Sequence, residues 1–317
     1  MTIRLTVRTA MWRSHVARVA SSIDGLVPVV KGNGYGFGRL ALARIAAEFS
    51  DTIAVGTIDE LDVLDVLGST AVGTSTDVAV LTPTLTMPDS TAPILTVGHH
   101  AHIDALAGWN GRVVVKLASS MRRFGGDAHL IDAADAAGLE VVGVSIHPPL
   151  AGTSADHRDE IVRAIDDIDP AIPVWLSHID PVDYAALPTA LPTARRYRLR
   201  LGTALWHGDK SFLQLTADVI DVRPIASGDR AGYRLSSVPA SGHLVMIGAG
   251  SAGGVAELAG GLSPFHFERT RLALHEPPHM HTSMAFVPDG DPLPSIGDRV
   301  DLQRPLITTA VDRFEWL

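Results

Sequence analysis

The chain has 317 residues, of which 46% are hydrophobic and 19% charged, so it can bury a large core in one or two domains. Its formal net charge of −9, with no block of like charges, argues against a nucleic-acid partner, which requires a basic face. The absence of cysteine excludes disulfides, thiolate metal ligands and thiol nucleophiles. No apolar run reaches the roughly 18 residues of a membrane span, and the N-terminus lacks the apolar core of a signal peptide, so we expect a cytoplasmic protein with no membrane partner.

Eight short apolar runs occupy the first two thirds of the chain, and Ala-rich stretches with helical spacing lie between them. Strands that alternate with helices predict βαβ units and a parallel sheet. Eight such strands favour a closed (β/α)8 TIM-type barrel, with an open doubly wound sheet as the alternative. The runs are LVPVV (26–30), TIAVG (52–56), VAVL (78–81), PILTV (93–97), RVVV (112–115), VVGVSI (141–146), PVWL (173–176) and YRLRL (197–201).

The pattern changes after about Trp206, where the Ala-rich stretches end. Short alternating runs such as GHLVMIG, HTSMAFV and DRVDL follow, separated by turns rich in Gly, Pro and Asp. This pattern is typical of antiparallel strands. We therefore predict a barrel over residues 12–210 and a mostly antiparallel β domain over residues 211–317, to which residues 1–11 are expected to add a strand.

Polar residues follow several of the predicted barrel strands. Active sites of such barrels are built at the C-terminal ends of the strands, so these side chains are expected to converge on one mouth. Five basic or imidazole side chains at matching strand ends are harder to explain as solvated surface residues than any one of them alone. The residues are Lys31, Lys116, His147, Ser177, His178, Arg200, Gly202 and Thr203.

The segment KGNGYGFG, residues 31–38, is the most specific of these strand ends. Lys31 leaves an apolar strand and enters a run with four glycines, which let the backbone approach a bulky planar ligand closely. A lysine at a partly desolvated strand end has a lowered pKa, as the formation of a Schiff base requires. Tyr35 can donate a phenol hydrogen bond to a phosphate.

VVKGNGYGFG resembles the cofactor-lysine segment VVKANAYGHG of alanine racemases and other fold-type III pyridoxal-phosphate (PLP) enzymes. The similarity extends over most of the chain: VVVKLASSMRRFGG resembles the family's KxDTGMxRxG segment, and RLGTALWHG resembles RPGIxLYG. The resemblance implies a PLP-binding barrel followed by a β domain, with Lys31 holding the cofactor as a Schiff base. It also implies a homodimer in which each active site is shared between subunits.

The resemblance assigns further roles at the mouth. Arg123 and Lys116 would bind the substrate, and His147 would lie against the cofactor ring. Ser177 and the backbone N–H groups of Gly202 and Thr203 would bind the phosphate. Arg200 would face the pyridine nitrogen; because an arginine does not give up its proton, the ring stays less electron-withdrawing, which suits controlled proton exchange at Cα.

The chain also departs from the family. Alanine racemases carry a catalytic tyrosine in a GYADG motif, and the corresponding stretch IGAGSAGGV places Ala249 there. The histidine of the cofactor loop is replaced by Phe37. An alanine cannot transfer a proton, so the second proton-transfer group has to be another residue.

Candidates for that group lie in the C-terminal region. HEPPHMHTSM, residues 275–284, aligns with the family's substrate-carboxylate segment, which nominates Met280 for substrate binding and His281 for catalysis. The same segment resembles a metal-binding stretch of D-serine dehydratases and D-threonine aldolases, so His279 and His281 are also candidate ligands of a divalent metal. Tyr233, in AGYR, is a second catalytic candidate.

Three functions are compatible with the sequence. The first is a PLP-dependent racemase or epimerase of amino-acid metabolism, with a small-molecule amino-acid substrate. The second is a metal-assisted PLP lyase or aldolase acting on a D-β-hydroxy amino acid. The third is a non-catalytic PLP-binding protein, against which the additional β domain argues.

Overall fold

A computed structural model of the chain describes residues 2–68, 76–190 and 194–317. The chain forms two compact units. The barrel unit comprises His15–Gly34 and Arg39–Gly208. The sheet unit comprises the chain up to Ser14 together with Tyr35–Gly38 and Asp209–Leu317. No helix in the described ranges is both long and apolar enough to cross a membrane.

Strands and short helices alternate up to residue 206, and strands predominate thereafter. The strands are β1 Ile3–Val7, β2 Leu26–Pro28, β3 Thr52–Val55, β4 Asp77–Val80, β5 Ile94–Val97, β6 Arg112–Lys116, β7 Glu140–Ser145, β8 Val174–Leu176, β9 Tyr197–Leu201, β10 Leu213–Ile225, β11 Arg230–Ala231, β12 Ser236–Ser237, β13 Gly242–Ile247, β14 Phe265–Phe267, β15 Thr270–Arg271, β16 Ala273–Leu274, β17 Ser283–Pro288, β18 Arg299–Leu302 and β19 Arg313–Trp316. The α-helices are α1 Thr9–Ser21, α2 Arg39–Ala46, α3 Val63–Gly68, α4 His100–Asp104, α5 His129–Ala136, α6 Ser154–Ile165, α7 Pro181–Ala190 and α8 Thr203–Trp206.

The barrel unit is built on eight parallel strands in the order β2-β9-β8-β7-β6-β5-β4-β3. A parallel bridge between Val29 and Ala54 joins the end of β2 to β3 and closes the ring. The strands are almost continuously apolar, as in Val113–Val115, because helices cover one face and the barrel core the other. The closed-barrel prediction is confirmed, and the open doubly wound alternative is wrong.

The sheet unit is a mostly antiparallel nine-stranded sheet with the path β15-β14-β18-β10-β13-β17-β16. β1 extends it by pairing antiparallel with β10 and parallel with the C-terminal strand β19. The long strand β10 pairs with β1 and β18 in its first half and with β13 in its second half, with a register shift between Val219 and Asp221. The core of the sheet unit includes Val245, Phe265 and Val300, each at most 1% exposed. The predicted antiparallel β domain is therefore confirmed as a fold class.

Phe37 has a packing role in the sheet unit. Its ring is 1% exposed and lies 4.9 Å from the ring of Trp12 and 6.2 Å from that of Trp316, measured between centroids. Trp12 and Trp316 are themselves 5.5 Å apart. An aromatic residue at position 37 thus completes an apolar cluster that an imidazole would fill poorly.

Candidate functional site

The C-terminal ends of the eight parallel barrel strands meet at one mouth, and the predicted strand-end residues lie there. Lys31 follows β2, Lys116 ends β6, His147 follows β7, and Ser177 follows β8. Because β2 and β6 are four strands apart in either direction around the ring, Lys31 and Lys116 leave opposite sides of the barrel. The structure therefore places two amines across one mouth.

Arg200, on β9, is buried in this mouth at 8% exposure. Its Nη2 donates to the carbonyl of Ile146 at 3.0 Å and to Ser177 Oγ at 3.3 Å, and its Nε donates to the carbonyl of Leu176 at 3.3 Å. Burial, together with the charge of Arg123, lowers the pKa of Arg200 to about 10, so it stays protonated near neutral pH. Arg200 is therefore a positive charge whose guanidinium is held in one orientation by two carbonyl acceptors and one hydroxyl acceptor.

His147 and Ser177 form a short hydrogen bond of 2.5 Å between Nδ1 and Oγ. Burial, followed by the charge of Arg200, lowers the pKa of His147 to about 2, so its imidazole is neutral. Nη2 of Arg200, which can only donate, lies 3.5 Å from Nδ1 of His147, so Nδ1 is the acceptor. The Ser177 hydroxyl therefore donates to Nδ1, and the proton of the neutral imidazole lies on Nε2. The ring of His178 lies 4.3 Å from that of His147. Phosphate binding by Ser177 and ring contact by His147 stay predictions.

Lys31 is exposed at the mouth, yet the strand ends around it displace part of its hydration. This partial desolvation, then the charges of Arg123 and Arg200, lowers the pKa of Lys31, and Glu60 acts in the opposite direction. An amine in this field is more readily neutral, and hence more nucleophilic, than a surface lysine.

Lys116 is buried at 3% exposure, and its Nζ has no hydrogen-bond partner among the described residues. Burial, then the charges of Arg200 and Arg123, lowers its pKa to about 6. Lys116 is thus a mostly neutral amine near pH 7.

The loop after Lys31 is braced by residues that the sequence did not single out. The carboxylate of Glu60 accepts the backbone N–H of Gly32 at 2.9 Å and that of Gly56 at 2.7 Å. Arg39 donates to the Gly32 carbonyl at 2.9 Å and makes a two-bond pair with Asp62. The sequence offered only part of the signal: acidic residues follow β3 directly, but the pairing of β2 with β3 is what brings them to the loop after Lys31.

Arg123 lies in the loop after β6, exposed, with its guanidinium 4.6 Å above the ring of Phe124. Glu160, on α6, fixes this loop by accepting the backbone N–H of Ser120 at 2.6 Å and its hydroxyl at 2.8 Å. Ser119 donates its hydroxyl to the carbonyl of His147 at 2.8 Å. Since Arg123 also lowers the pKa of Lys31, Lys116 and Arg200, it belongs to the same positive field.

The remaining cofactor candidates differ in placement. Gly202 and Thr203 begin α8, and their N–H groups donate to no other described residue. Tyr35 is buried, has a backbone φ of 55°, and belongs to the sheet unit. Burial raises the pKa of the Tyr35 phenol to about 12, so it is a hydrogen-bond donor at neutral pH.

Of the sheet-unit candidates, Tyr233 and His279 lie together with Glu276, and these three residues form the His279 cluster. Nε2 of His279 lies 2.5 Å from Glu276, and the ring of Tyr233 lies 4.5 Å from the imidazole. Tyr233 and Met280 are 86% and 66% exposed, and His281 is exposed as well. Ala249 is fully buried in the core of the unit.

The predicted metal pair is not supported. Nε2 of His279 is taken up by Glu276, and within the described ranges no group of three or more His, Asp or Glu side chains could hold an ion. The spacing of His279 and His281, two residues apart on an extended segment, was too weak a signal for a metal site, because such a site also requires further ligands.

A closed parallel barrel with a lysine after its first strand, joined in sequence to an antiparallel sheet, defines an alanine racemase-like protein of PLP fold-type III. Residues 7–179, more than half of the chain, match the family model "Alanine racemase, N-terminal domain", and the chain belongs to this family.

Solved alanine racemases share the fold. That of Bartonella henselae, with covalently bound pyridoxal phosphate, has a TM-score of 0.75 at 17% identity, covering 100% of this chain and 99% of the other. That of Bacillus anthracis, with bound L-Ala-P, has a TM-score of 0.71 at 19% identity, with coverages of 95% and 84%. That of Acinetobacter baumannii has a TM-score of 0.68 at 16% identity, with coverages of 100% and 99%. No curated protein sequence matches the chain at a significant level.

Proposed function

We propose that this chain is a PLP-dependent amino-acid racemase or epimerase, with Lys31 as the residue that holds the cofactor. The observation that carries the proposal is the mouth itself: a lysine of lowered pKa lies at one end of a ring of parallel strands, and the same end holds a buried, fixed arginine. The family membership and the covalently bound PLP of the Bartonella henselae structure support the same conclusion.

The residues present fit the cofactor. An aldehyde requires a reactive amine, which Lys31 offers. A phosphate requires N–H donors, which Gly202 and Thr203 offer at the start of α8. Arg200 is the proposed partner of the pyridine nitrogen. Within the site, Tyr35 and Ser177 are further proposed phosphate ligands, and His147 is the proposed neutral ring that packs on the cofactor. PLP, when bound, withdraws electrons from the Cα–H bond of an amino acid.

The chain's own residues bind the substrate and move its proton. Arg123 supplies the positive charge for the substrate carboxylate, and the neutral amine of Lys116 is a proposed hydrogen-bond donor to it. Met280 is a proposed substrate contact from the sheet unit. Nζ of Lys31 takes the Cα proton or returns it. Arg200 does not give up its proton to the ring nitrogen, so the ring withdraws electrons less strongly, which favours proton exchange at Cα over chemistry that needs wider delocalisation of charge.

The second proton-transfer group is proposed to come from the sheet unit of a second copy, in a homodimer with shared active sites. The sequence nominates His281 and Tyr233, both of which are exposed. An exposed side chain is available to a neighbouring subunit, whereas Ala249 is buried and has no proton to transfer.

The first test is covalent trapping. The protein is incubated with PLP, reduced with borohydride, digested and mapped by mass spectrometry, in the wild type, in Lys31→Ala and in Lys210→Ala. We expect the cofactor mass on Lys31 in the wild type and in Lys210→Ala, and its loss in Lys31→Ala. A cofactor label on Lys210 or Lys116 in place of Lys31 contradicts the proposal.

The second test is a panel of D- and L-amino acids in D2O, followed by NMR for deuterium at Cα and by chiral chromatography. Solvent deuterium at Cα with inversion supports a racemase or epimerase. Release of ammonia, a keto acid or an aldehyde would identify a lyase or aldolase instead. Trapped PLP without any turnover would identify a non-catalytic binding protein.

A further inference from the structure

We propose that His279, oriented by Glu276, is the second proton-transfer group of the racemase and acts through Nδ1 on the face of the substrate Cα opposite to Lys31. The inference rests on the proposed function. Lys31 and the barrel mouth keep the roles proposed above, and the inference selects one imidazole among the sheet-unit residues as the second group.

Glu276 is a buried carboxylate that joins His279 to the turn between β11 and β12. It is 6% exposed and accepts the backbone N–H groups of Tyr233 at 3.0 Å and Arg234 at 3.4 Å, in addition to its 2.5 Å contact with His279 Nε2. Burial alone would raise the pKa of Glu276, but these hydrogen bonds hold it below its ordinary value. The group is therefore a buried anion, which is costly to keep in a protein unless it is paired.

The carboxylate decides the tautomer of the imidazole. Glu276 only accepts, so the proton of a neutral His279 lies on Nε2 and the lone pair lies on Nδ1. Nδ1 has no hydrogen-bond partner among the described residues. A carboxylate behind one ring nitrogen and a free second nitrogen is the arrangement that orients an imidazole as a general base and stabilises its protonated form.

The surroundings hold this pair in one geometry. Gly232 lies in the turn between β11 and β12 with φ of 79°, and a Cβ there would collide with the Glu276 carboxylate. The turn can therefore lie directly over Glu276, which brings the Tyr233 ring to 4.5 Å from the imidazole. The backbone carbonyl of His279 accepts the N–H of Ser251 at 2.8 Å. Glu276 and the Tyr233 ring thus hold the imidazole, and the Ser251 bond fixes the backbone that carries it.

The proton balance is that of a two-base exchange. The Cα–H bond breaks as a bond from Nδ1 of His279 to that proton forms, and the electron pair stays with the substrate. Protonated Lys31 then delivers its proton to the opposite face, which inverts Cα. The reverse direction exchanges the two roles, so no oxidant or co-reactant is needed.

The test compares His279→Gln with His243→Gln in D2O, using the amino acid that the wild type racemises fastest in the panel. His243 is a matched control, because it lies in the same unit and its Nδ1 is 3.7 Å from the carboxylate of Asp289. We expect His279→Gln to lose racemisation by at least about 100-fold, while Cα exchange with retention persists for one enantiomer through Lys31. His243→Gln should behave as the wild type.

Several results would overturn the inference. The first is that His279→Gln retains racemisation. The second is that a folded His279→Gln variant loses Cα exchange equally for both enantiomers. The third is that Tyr233→Phe loses racemisation while His279→Gln does not, which would identify the phenol of Tyr233 as the proton-transfer group. Absence of Cα exchange from both enantiomers in the wild type would instead be a failure of the proposed racemase.

A readout independent of turnover is the tautomer of His279 in the cofactor-free protein. Nitrogen-15 NMR at mildly alkaline pH should show the Nε2–H form for the resonance that disappears in His279→Gln. Glu276→Gln should shift that resonance toward a mixture of tautomers, because an amide can both donate and accept. A predominant Nδ1–H form in the wild type would contradict the orienting role of Glu276.

Discussion

Lys116 is a lysine whose amine lies in a buried, positively charged environment that destabilises its protonated form. Strand β6 is apolar and its end is enclosed, so the side chain is buried, and Arg200 and Arg123 add two positive charges to its surroundings. The sequence could place Lys116 at a strand end, but only the closed ring shows that the strand end is buried and that its neighbours are cationic. The same holds for Arg200, whose acceptors come from the ends of β7 and β8.

The buried Lys116 amine predicts a pH-dependent stability. The unfolded lysine keeps its proton up to its ordinary pKa of 10.5, whereas the folded one loses it above about 6. Between these values the unfolded chain binds more protons, so the free energy of unfolding should rise with pH, by up to about 1.4 kcal/mol per pH unit. Lys116→Met should remove this slope and be more stable than the wild type near neutral pH.

Urea denaturation of the cofactor-free wild type and Lys116→Met over this pH range measures the difference. Parallel stability curves for the two proteins would show that Lys116 is protonated in the folded state. Lys210→Met, which changes an exposed lysine, serves as the comparison for the loss of one positive charge.

At the scale of elements, the loop between β2 and α2 is shaped by the element that follows β3. Glu60 accepts two backbone N–H groups, one on each side of Lys31, and the Arg39–Asp62 pair holds the carbonyl of Gly32. The glycine pattern of this loop could be recognised from the sequence, because glycine marks a required backbone conformation. The residues that brace the loop, Glu60 and Asp62, could not be recognised in this way, because they lie about thirty residues further along the chain and reach the loop only through strand pairing.

Neutralising Glu60 should loosen this loop. In Glu60→Gln one of the two N–H groups meets an amide NH2 instead of an oxygen, so the amide hydrogen exchange of Gly32 and Gly56 should accelerate by about 10- to 100-fold. Hydrogen-exchange mass spectrometry on the cofactor-free protein measures this. Asp59→Asn is the matched control, since Asp59 is the exposed acidic neighbour. Equal exchange in the two variants would mean that Glu60 does not hold the loop.

At the scale of the whole molecule, the chain combines a barrel whose mouth carries Lys31 with a sheet whose surface carries the His279 cluster. The two-base exchange that we propose uses one proton-transfer group on each face of Cα, and the two proposed groups belong to different units. In the homodimer that we propose, each mouth would receive its second group from the other copy.

Subunit complementation tests this arrangement. Lys31→Ala and His279→Gln, each inactive alone, are mixed, unfolded and refolded together, with one copy tagged so that native mass spectrometry identifies mixed dimers. Random pairing gives one intact site in each mixed dimer, so racemisation should recover to about a quarter of the wild-type value. Mixed dimers that form but stay inactive would show that the two groups do not meet across subunits.

The sequence by itself determined the periodicities of the elements, and with them the parallel strands, the antiparallel sheet and the strand-end position of Lys31, because these follow from local patterns of apolar residues and glycines. It favoured a closed barrel over an open sheet, but the bridge between Val29 and Ala54 is what shows that the ring closes. It also indicated the family through a short, specific segment around that lysine. Only the tertiary structure decided which polar groups meet: the buried amine of Lys116, the brace at Glu60, and the pairing of His279 with Glu276 in place of a metal. Burial and hydrogen-bond partners depend on residues far apart in the chain, and no local pattern encodes them.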